Sequence, residues 1–385
     1  MDLSFTPEQE AFRSEVREWL DEHVPTSLPS AGTREGFEAH RAWEQHMFRA
    51  GYGAIRWPVD YGGRGADIVE QAIFEEEYFL ARAPERITVL GRNLMGPTLM
   101  THGNEEQKRV WLPGILSADT IWSQGFSEPG AGSDLASLTT RAVREGDELI
   151  VTGQKIWTSY GAFADWIFAL VRTDPEAPKH GGITFLAIDM TSPGVEARPI
   201  VQLDGQAGFA EVFFDGVRVP AANVVGELNG GWGVAMTTLG FERDAPAAPA
   251  ARFLRQVRDL VAIARARGLA GDPVVRDRVA SLFVRAETYR LQTLRKLSRV
   301  AHGESVGAEA SAMKLQWSEL GRDAYETGLE LLDAYGEVSS EDSPLPDPEQ
   351  WRHGYWLSRA ATIYAGTSEI QRNIIAERVL GLPKG

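Results

Sequence analysis

The sequence predicts an α+β protein in three parts: helical, then β-rich, then helical again. Three observations carry this. Apolar residues recur at helical spacing up to about residue 119, β-branched and aromatic runs separated by Gly, Pro, Asp and Asn continue to about Gly230, and long helical patterns return from Trp232. The expected domains are an N-terminal α-helical domain at 1–119, a middle β domain at 120–230 and a C-terminal α-helical domain at 231–385. With 385 residues the chain exceeds the roughly 250–300 at which a single core stops growing, so more than one packed unit is required.

The first helix is announced by Thr6-Pro7-Glu8-Gln9, a capping box with proline at the first helical position, followed by Phe12, Val16, Trp19 and Leu20 at helical spacing. Further helical patterns run over 38–50, 69–80 and 104–112, broken by glycine-rich turns such as DYGGRG. The β runs are DELIVTGQKIWTS, DWIFALVRT, GITFLAIDM, VEARPIV and AEVFFDGVRVP. Helical patterns then cover 250–267, 273–302, 308–335 and 350–380, the last two separated by the acidic, proline-bearing loop EVSSEDSPLPDPEQ. Inside the last pattern, Gly366 frees the backbone, Thr367 and Ser368 can cap, and Ser368 with Gln371 matches the S-x-x-Q capping box. Ile370, Ile374, Ile375 and Val379 form a stripe assigned to the core, beside Arg372 and Arg378.

Composition narrows the function classes. A formal net charge of -15 disfavours nucleic acid and anionic membranes as partners, so any polyanionic ligand must be met by local amides and a few placed arginines. No apolar run approaches the roughly 18 residues of a membrane span, and the N-terminus is charged where a secretory apolar segment would lie. The absence of cysteine excludes disulfides, thiolate nucleophiles and zinc-thiolate sites, and suits a reducing, cytoplasmic setting; no metal site is expected.

Four stretches carry candidate chemistry. GFSEPGAGSDLASL (Gly125 to Leu138) places three glycines with Ser127, Ser133 and Asp134 between β-like segments; it is either a surface turn or an amide nest for an anion or a heterocycle's edge. GQKIWTSYG sets Trp157 beside Thr158 and Ser159, as core packing or as a flat aromatic next to two hydroxyls. LGFERDAPAA carries Glu242 and Arg243 near the start of an alanine-rich helix, as a solvated ion pair or as a base with its neighbour. IYAGTSEIQR presents a polarised helix start preceded by the chemically blank Ala365.

WSQGFSEPGAGSDLASLTTRAVREGDELIVTGQKIWTS and IYAGTSEIQRNIIAERVLG closely resemble the two signature regions of the acyl-CoA dehydrogenase family, in the same order and within the same α-β-α layout. The resemblance covers essentially the whole chain. It implies an N-terminal helical domain, a β-barrel-like middle domain and a C-terminal four-helix bundle around one FAD and the acyl chain of a coenzyme A thioester. By position, Gln124, Phe126, Ser127 and Ser133 belong to the strip lining the flavin, with Ser133 also toward substrate. Trp157 lies against the ring, Ser159 bonds near N5 with Thr158 adjacent, and Gly366, Thr367 and Glu369 contact the nucleotide. The implied reaction removes an α-proton to a carboxylate base and a β-hydride to flavin N5, giving a 2-enoyl-CoA, with electrons passing on to an electron-transfer flavoprotein.

Two departures from the family pattern matter. Many members carry the catalytic glutamate immediately before the Gly-Thr, where this chain has Ala365; LGFERDA instead resembles the L-x-x-E-R context of the isovaleryl-type branch, which assigns the base to Glu242 and makes Arg243 its neighbour or a substrate ligand. The stretches RARGLAGDPVVRDRVA and GLELLDAYGEVSS match poorly the segments by which many relatives complete a neighbouring subunit's FAD site. Similar losses mark a bacterial subgroup, partly of sterol side-chain breakdown, that assembles as an α2β2 heterotetramer. The expected assembly is therefore a homo-oligomer with a modified interface or a heterotetramer with a related subunit. Two rival readings remain: a non-catalytic half-site subunit, and a fold relative that oxidises something other than a thioester.

Overall fold

A computed structural model of the chain describes residues 5–244, 250–304, 307–345 and 347–383, with backbone alone at 242–244. In chain order the helices are α1 (Pro7–His23), α2 (Arg34–Arg49), α3 (Ile68–Leu80), α4 (Gly96–His102), α5 (Glu105–Ser117), α6 (Gly231–Asp244), α7 (Ala250–Ala266), α8 (Pro273–Ala301), α9 (Ala310–Leu332), α10 (Pro348–Ala361) and α11 (Ser368–Ile374). The strands are β1 (Trp122–Gly125), β2 (Arg141–Glu145), β3 (Glu148–Ser159), β4 (Trp166–Arg172), β5 (Ile183–Asp189), β6 (Val195–Ile200) and β7 (Phe209–Pro220). The chain forms two compact units that do not follow chain order, one of Pro25–Ala66 with Pro84–Ala245 and one of Met1–Val24, Asp67–Ala83 and Pro246–Gly385. The α+β class and the helix-strand-helix sequence are those expected.

The first unit is a curled, mixed seven-stranded sheet with α2, α4, α5 and α6. Its order runs β1-β4-β2-β3-β7-β6, with β5 also on β4; β1 and β4 are parallel, whereas β2–β3, β3–β7, β6–β7 and β4–β5 are antiparallel. β4 and β5 are buried along nearly their whole length, which explains why they read as continuous apolar runs rather than as alternation. Trp111, Trp122 and Trp166 pack together, the last two stacked at 5.3 Å between centroids. α6 starts hard against β5: a Cβ on Gly231 would lie 2.3 Å from the Phe185 nitrogen, so no other residue fits there. Ahead of α4, Leu90–Met95 is a π-helical segment in which the Gly96 N–H bonds Gly91 O, and Arg92 O is taken instead by the Trp57 indole at 2.8 Å.

The second unit is helical. The Thr6 capping box forms as expected, and Arg13 and Arg17 of α1 clamp the buried Glu77 of α3 at 2.7 and 2.9 Å. α7, α8, α9 and α10 share one apolar core that includes Phe253, Leu260, Leu282, Tyr289, Leu320, Leu332 and Trp351. Two expectations need correction. The pattern over 350–380 is not one helix: α10 stops at Ala361, a turn intervenes, and α11 gives way to a π-helical turn at Ile375–Val379. The stripe assigned to the core is also not buried, because Ile370 and Val379 are 37% and 43% exposed. The break after α10 and the change of helical pitch after α11 take those side chains off a single inward line.

Among the described residues, no helix is long and apolar enough to cross a membrane, and no group of His, Asp or Glu could hold a metal ion.

Candidate active site

The candidate residues fall in two groups, one in each unit. In the sheet unit the loop after β1 runs antiparallel to itself at Glu128 and Ala131, whose backbones exchange bonds of 2.9 and 3.0 Å around Pro129-Gly130. Beside it, β3 carries a bulge. Lys155 pairs with Val212 and Thr158 with Ala210, so β3 spends one more residue than β7 over the same step. Trp157 sits in that bulge at φ +60°, a left-handed conformation costing about 1–2 kcal/mol for a residue with a Cβ. The residue is 57% exposed, and its indole meets Phe209 edge-on at 6.2 Å between centroids. An open indole in a strained backbone is the opposite of core packing.

The two stretches are stitched together. Ser123 Oγ donates to Ser159 O at 2.7 Å, and the Ile156 N–H donates to Ser127 O at 3.0 Å. Lys155, fully buried, donates to Phe126 O at 3.2 Å and to Glu128 Oε1 at 2.8 Å. Burial opposes the Glu128 carboxylate, but Lys155 and the Thr139 and Thr140 donors outweigh it and hold the group down at about 2. Burial draws the Lys155 ammonium down to about 8, which the Glu128 charge partly offsets, leaving it protonated at pH 7. Neither residue was singled out from the sequence. A signal was available for Lys155, which shares the inward parity of Leu149 and Val151 on β3 and so places a charge where the strand's apolar face turns in.

The remaining residues of this group take distinct positions. Gln124, Ser127 and Ser159 are half-buried; Ser133 is exposed, next to an Asp134 that pairs with Lys179 at 2.7 Å. Phe126 packs edge-on against Phe168 and Phe185 at 5.8 and 6.0 Å, so it can meet a ligand only through its backbone. Thr158 is fully buried with its hydroxyl lacking any partner. Glu242 and Arg243 lie at the end of α6, not near the start of a helix as the sequence suggested, and their side chains lie outside the described residues. What is described is the seat of that helix: Thr98 of α4 and Thr238 of α6, both fully buried, bond hydroxyl to hydroxyl at 2.8 Å one turn before Glu242.

In the helical unit, the turn between α10 and α11 is left-handed at two successive residues, Ala365 (φ +52°) and Gly366 (φ +87°). The cap of α11 is Thr367, whose hydroxyl accepts from the Ile370 N–H at 3.2 Å; the expected Ser368–Gln371 box does not form. Gln371 turns back instead, its Nε2 donating to Ala365 O at 3.0 Å, and the buried Ser368 hydroxyl has no partner. Lys314 of α9 donates to Ala361 O and Gly366 O at 2.9 and 2.8 Å. Glu369 is exposed in the first turn, where its own N–H and Thr367 lower its pKa.

An exposed indole beside the half-buried Ser127 and Ser159 suits a planar heterocycle with a polar rim. The comparisons with known proteins agree with the layout. Family models for the acyl-CoA dehydrogenase N-terminal, middle and C-terminal domains match residues 6–119, 123–217 and 229–380. The acyl-CoA dehydrogenase IpdE1 of Mycobacterium tuberculosis is 40% identical over 97% of this chain and 98% of its own. The chain belongs to the acyl-CoA dehydrogenase family. Solved acyl-CoA dehydrogenase structures superpose along the whole chain. The steroid ACAD Tcur3481-Tcur3483 is 36% identical with a TM-score of 0.89, and the ChsE4-ChsE5 complex from Mycobacterium tuberculosis is 34% identical with a TM-score of 0.86, each covering 100% of both chains. This acyl-CoA dehydrogenase is accordingly an oxidoreductase, similar along its whole length to a solved structure described as a steroid ACAD.

Proposed function

We propose that this chain catalyses FAD-dependent α,β-dehydrogenation of an acyl-CoA thioester derived from a sterol side chain, with Glu242 as the base. The single observation that carries the proposal is the open Trp157 indole, held in a left-handed bulge beside Ser127 and Ser159. In this reading Trp157 lies against the isoalloxazine, Ser127 and Ser159 bond its polar edge, and Gln124, Phe126, Thr158 and Ser133 complete the strip. Gly366, Thr367 and Glu369 offer a polarised helix start to the nucleotide's phosphates. FAD, when bound, supplies the hydride acceptor. The chain's own part is to hold the thioester flat, exclude water and take the α-proton. A carboxylate does this best when desolvated, since burial raises its proton affinity. Arg243 and Ser133 are assigned to substrate. The sterol-derived substrate is supported by relatives described as steroid ACADs.

The heteromeric names of the two similar structures support an assembly with a related subunit, in an α2β2 arrangement. An electron-transfer flavoprotein is the proposed electron acceptor. A second reading, a half-site subunit that completes a partner's centre, is favoured by one observation: Ala365 cannot accept a proton.

Anaerobic titration decides between them. The purified protein, with and without the related subunit, is mixed with straight, branched and sterol-derived acyl-CoAs while flavin absorbance is followed. Bleaching by the sterol-derived thioester is the expected result. Glu242→Gln should keep its FAD and lose the bleaching; normal turnover by that variant assigns proton removal elsewhere, and loss of FAD in wild type defeats the flavin reading itself.

A further inference from the structure

We propose that Glu128 and Lys155 are positioning residues, a buried ion pair whose task is to hold the β3 bulge that turns Trp157 outward. The proposal rests on the reading that Trp157 is the face on which the flavin lies, and it assigns the means by which the chain builds that face before any ligand arrives.

The geometry is specific. The two oxygen atoms that receive the Lys155 ammonium belong to Phe126 and Glu128, which bracket Ser127, while the next residue of β3, Ile156, holds the Ser127 carbonyl through its N–H at 3.0 Å. Three consecutive residues of the loop are thus fixed by two consecutive residues of the strand. The Glu128 carboxylate is itself anchored from the opposite side, accepting from the Thr139 N–H and hydroxyl at 2.7 and 2.8 Å and from the Thr140 N–H at 2.9 Å. With Lys155 it therefore accepts four bonds, which occupy the lone-pair positions of a carboxylate. At the far end of the bulge, Ser123 ties down the Ser159 carbonyl at 2.7 Å. Trp157 lies between these two fixed ends, and its left-handed conformation persists because both are held.

A buried ion pair is a poor device for stability alone, since an apolar pair of similar volume usually serves as well. What the ion pair adds is direction. Apolar side chains at these positions would leave the loop free to slide along the strand, and a one-residue slip of β3 would exchange the exposed Trp157 with the buried Thr158. The retention of two charges at a site only 0% and 6% exposed is explained by that requirement.

The test uses Glu128→Gln, Lys155→Met and the double variant, the last leaving no unpaired buried charge if either single variant fails to fold. Two readouts are taken. Hydrogen exchange of the 155–160 segment is measured in the FAD-free chain, and FAD dissociation with the absorption spectrum of the bound flavin is measured in the loaded protein together with its related subunit. The double variant is expected to fold, to exchange the bulge amides at least tenfold faster, and to bind FAD about ten- to a hundredfold more weakly with an altered flavin spectrum, the size of one lost charge-assisted bond. Glu77→Gln, which disturbs the Arg13–Glu77–Arg17 cluster of the helical unit, serves as the control: it should lower thermal stability and leave both readouts unchanged. A folded double variant with wild-type exchange, affinity and spectrum overturns the proposal. If wild-type protein takes up no FAD while the exchange difference persists, the flavin reading falls and the pair's role is confined to the bulge, which overturns its assignment to the cofactor.

Discussion

The bond between Thr98 and Thr238 makes an asymmetric prediction that the structure sizes in advance. Each hydroxyl has one proton and two lone pairs. Thr238 gives its proton to Val234 O, one turn back in its own helix, at 2.9 Å, so Thr98 must be the donor in the 2.8 Å contact between the two side chains. Thr238→Val then leaves the Thr98 O–H buried with no acceptor, at a cost of about 1–3 kcal/mol. Thr98→Val removes the donor but leaves Thr238 bonded to Val234, forfeiting only one acceptor contact, about 0.5–1 kcal/mol. The double variant has no orphaned donor and should be no worse than Thr98→Val alone, although both sites are fully buried. The check is hydrogen exchange of the α6 peptide, in which about 2 kcal/mol reads as roughly thirtyfold faster opening for Thr238→Val. Glu242 lies four residues beyond Thr238 on the same helix, so the same variants report how firmly the proposed base is seated. Equal costs for the two single variants, or a double variant whose cost is their sum, would refute the assignment of donor and acceptor.

Ala365→Gly should stabilise the helical unit by about 1 kcal/mol, because alanine at φ +52° carries a steric penalty that glycine lacks; a rise in thermal midpoint of about 2–4 °C is the measurement. Stability should fall in acid through Glu128. Its folded pKa of about 2 lies below the ordinary 4.5, so its contribution is complete above about pH 4.5 and is lost as pH drops toward 2; urea midpoints measured across that window should flatten in Glu128→Gln. Glu44→Gln should cost about 3–5 kcal/mol, seen as a lower urea midpoint, since it strips the charge from a fully buried carboxylate that meets Arg86 at 3.0 Å and Arg92 at closer range.

Much of the fold was legible because its signals are local. Thr6 with Gln9, the periodicity of α7 to α9 and the β-rich grammar of 148–220 all depend on neighbours a few residues apart. What escaped depends on long-range partners. Glu44 reads as one more charge on an amphipathic helix, and its partners stand 42 and 48 residues away in sequence. The break between α10 and α11 was hidden because the carbonyls freed there are satisfied by Lys314, from a different helix. Nor does composition reveal that α6 folds with the sheet while α7 joins α1 and α3 in the other unit. At the candidate site, Trp157 and the serines were singled out by their motif, whereas the buried Glu128–Lys155 pair was visible only as a charge at an inward position of β3.

The shape of the turn at Ala365 does not depend on a proton acceptor at that position. None of the bonds that define the turn involves the side chain of residue 365. Gln371 Nε2 holds the Ala365 carbonyl at 3.0 Å, Lys314 holds the Gly366 carbonyl at 2.8 Å, and the Ser368 N–H returns to Thr362 O at 2.9 Å. Gly366 is favoured by φ +87°, and a Cβ there would lie 2.5 Å from the Gln371 amide nitrogen, displacing the side chain that holds the Ala365 carbonyl. The conformation is thus written in the backbone and in Lys314, Gln371 and Gly366, and the side chain at 365 is exposed and makes none of these bonds. Scaffold and acid are separable at this position. A turn that keeps its cap and its two left-handed residues with alanine at 365 still presents Thr367 and the first amides of α11, which is the part of the motif assigned to the nucleotide. The chemistry assigned to proton removal can therefore move to another helix without any change in the turn.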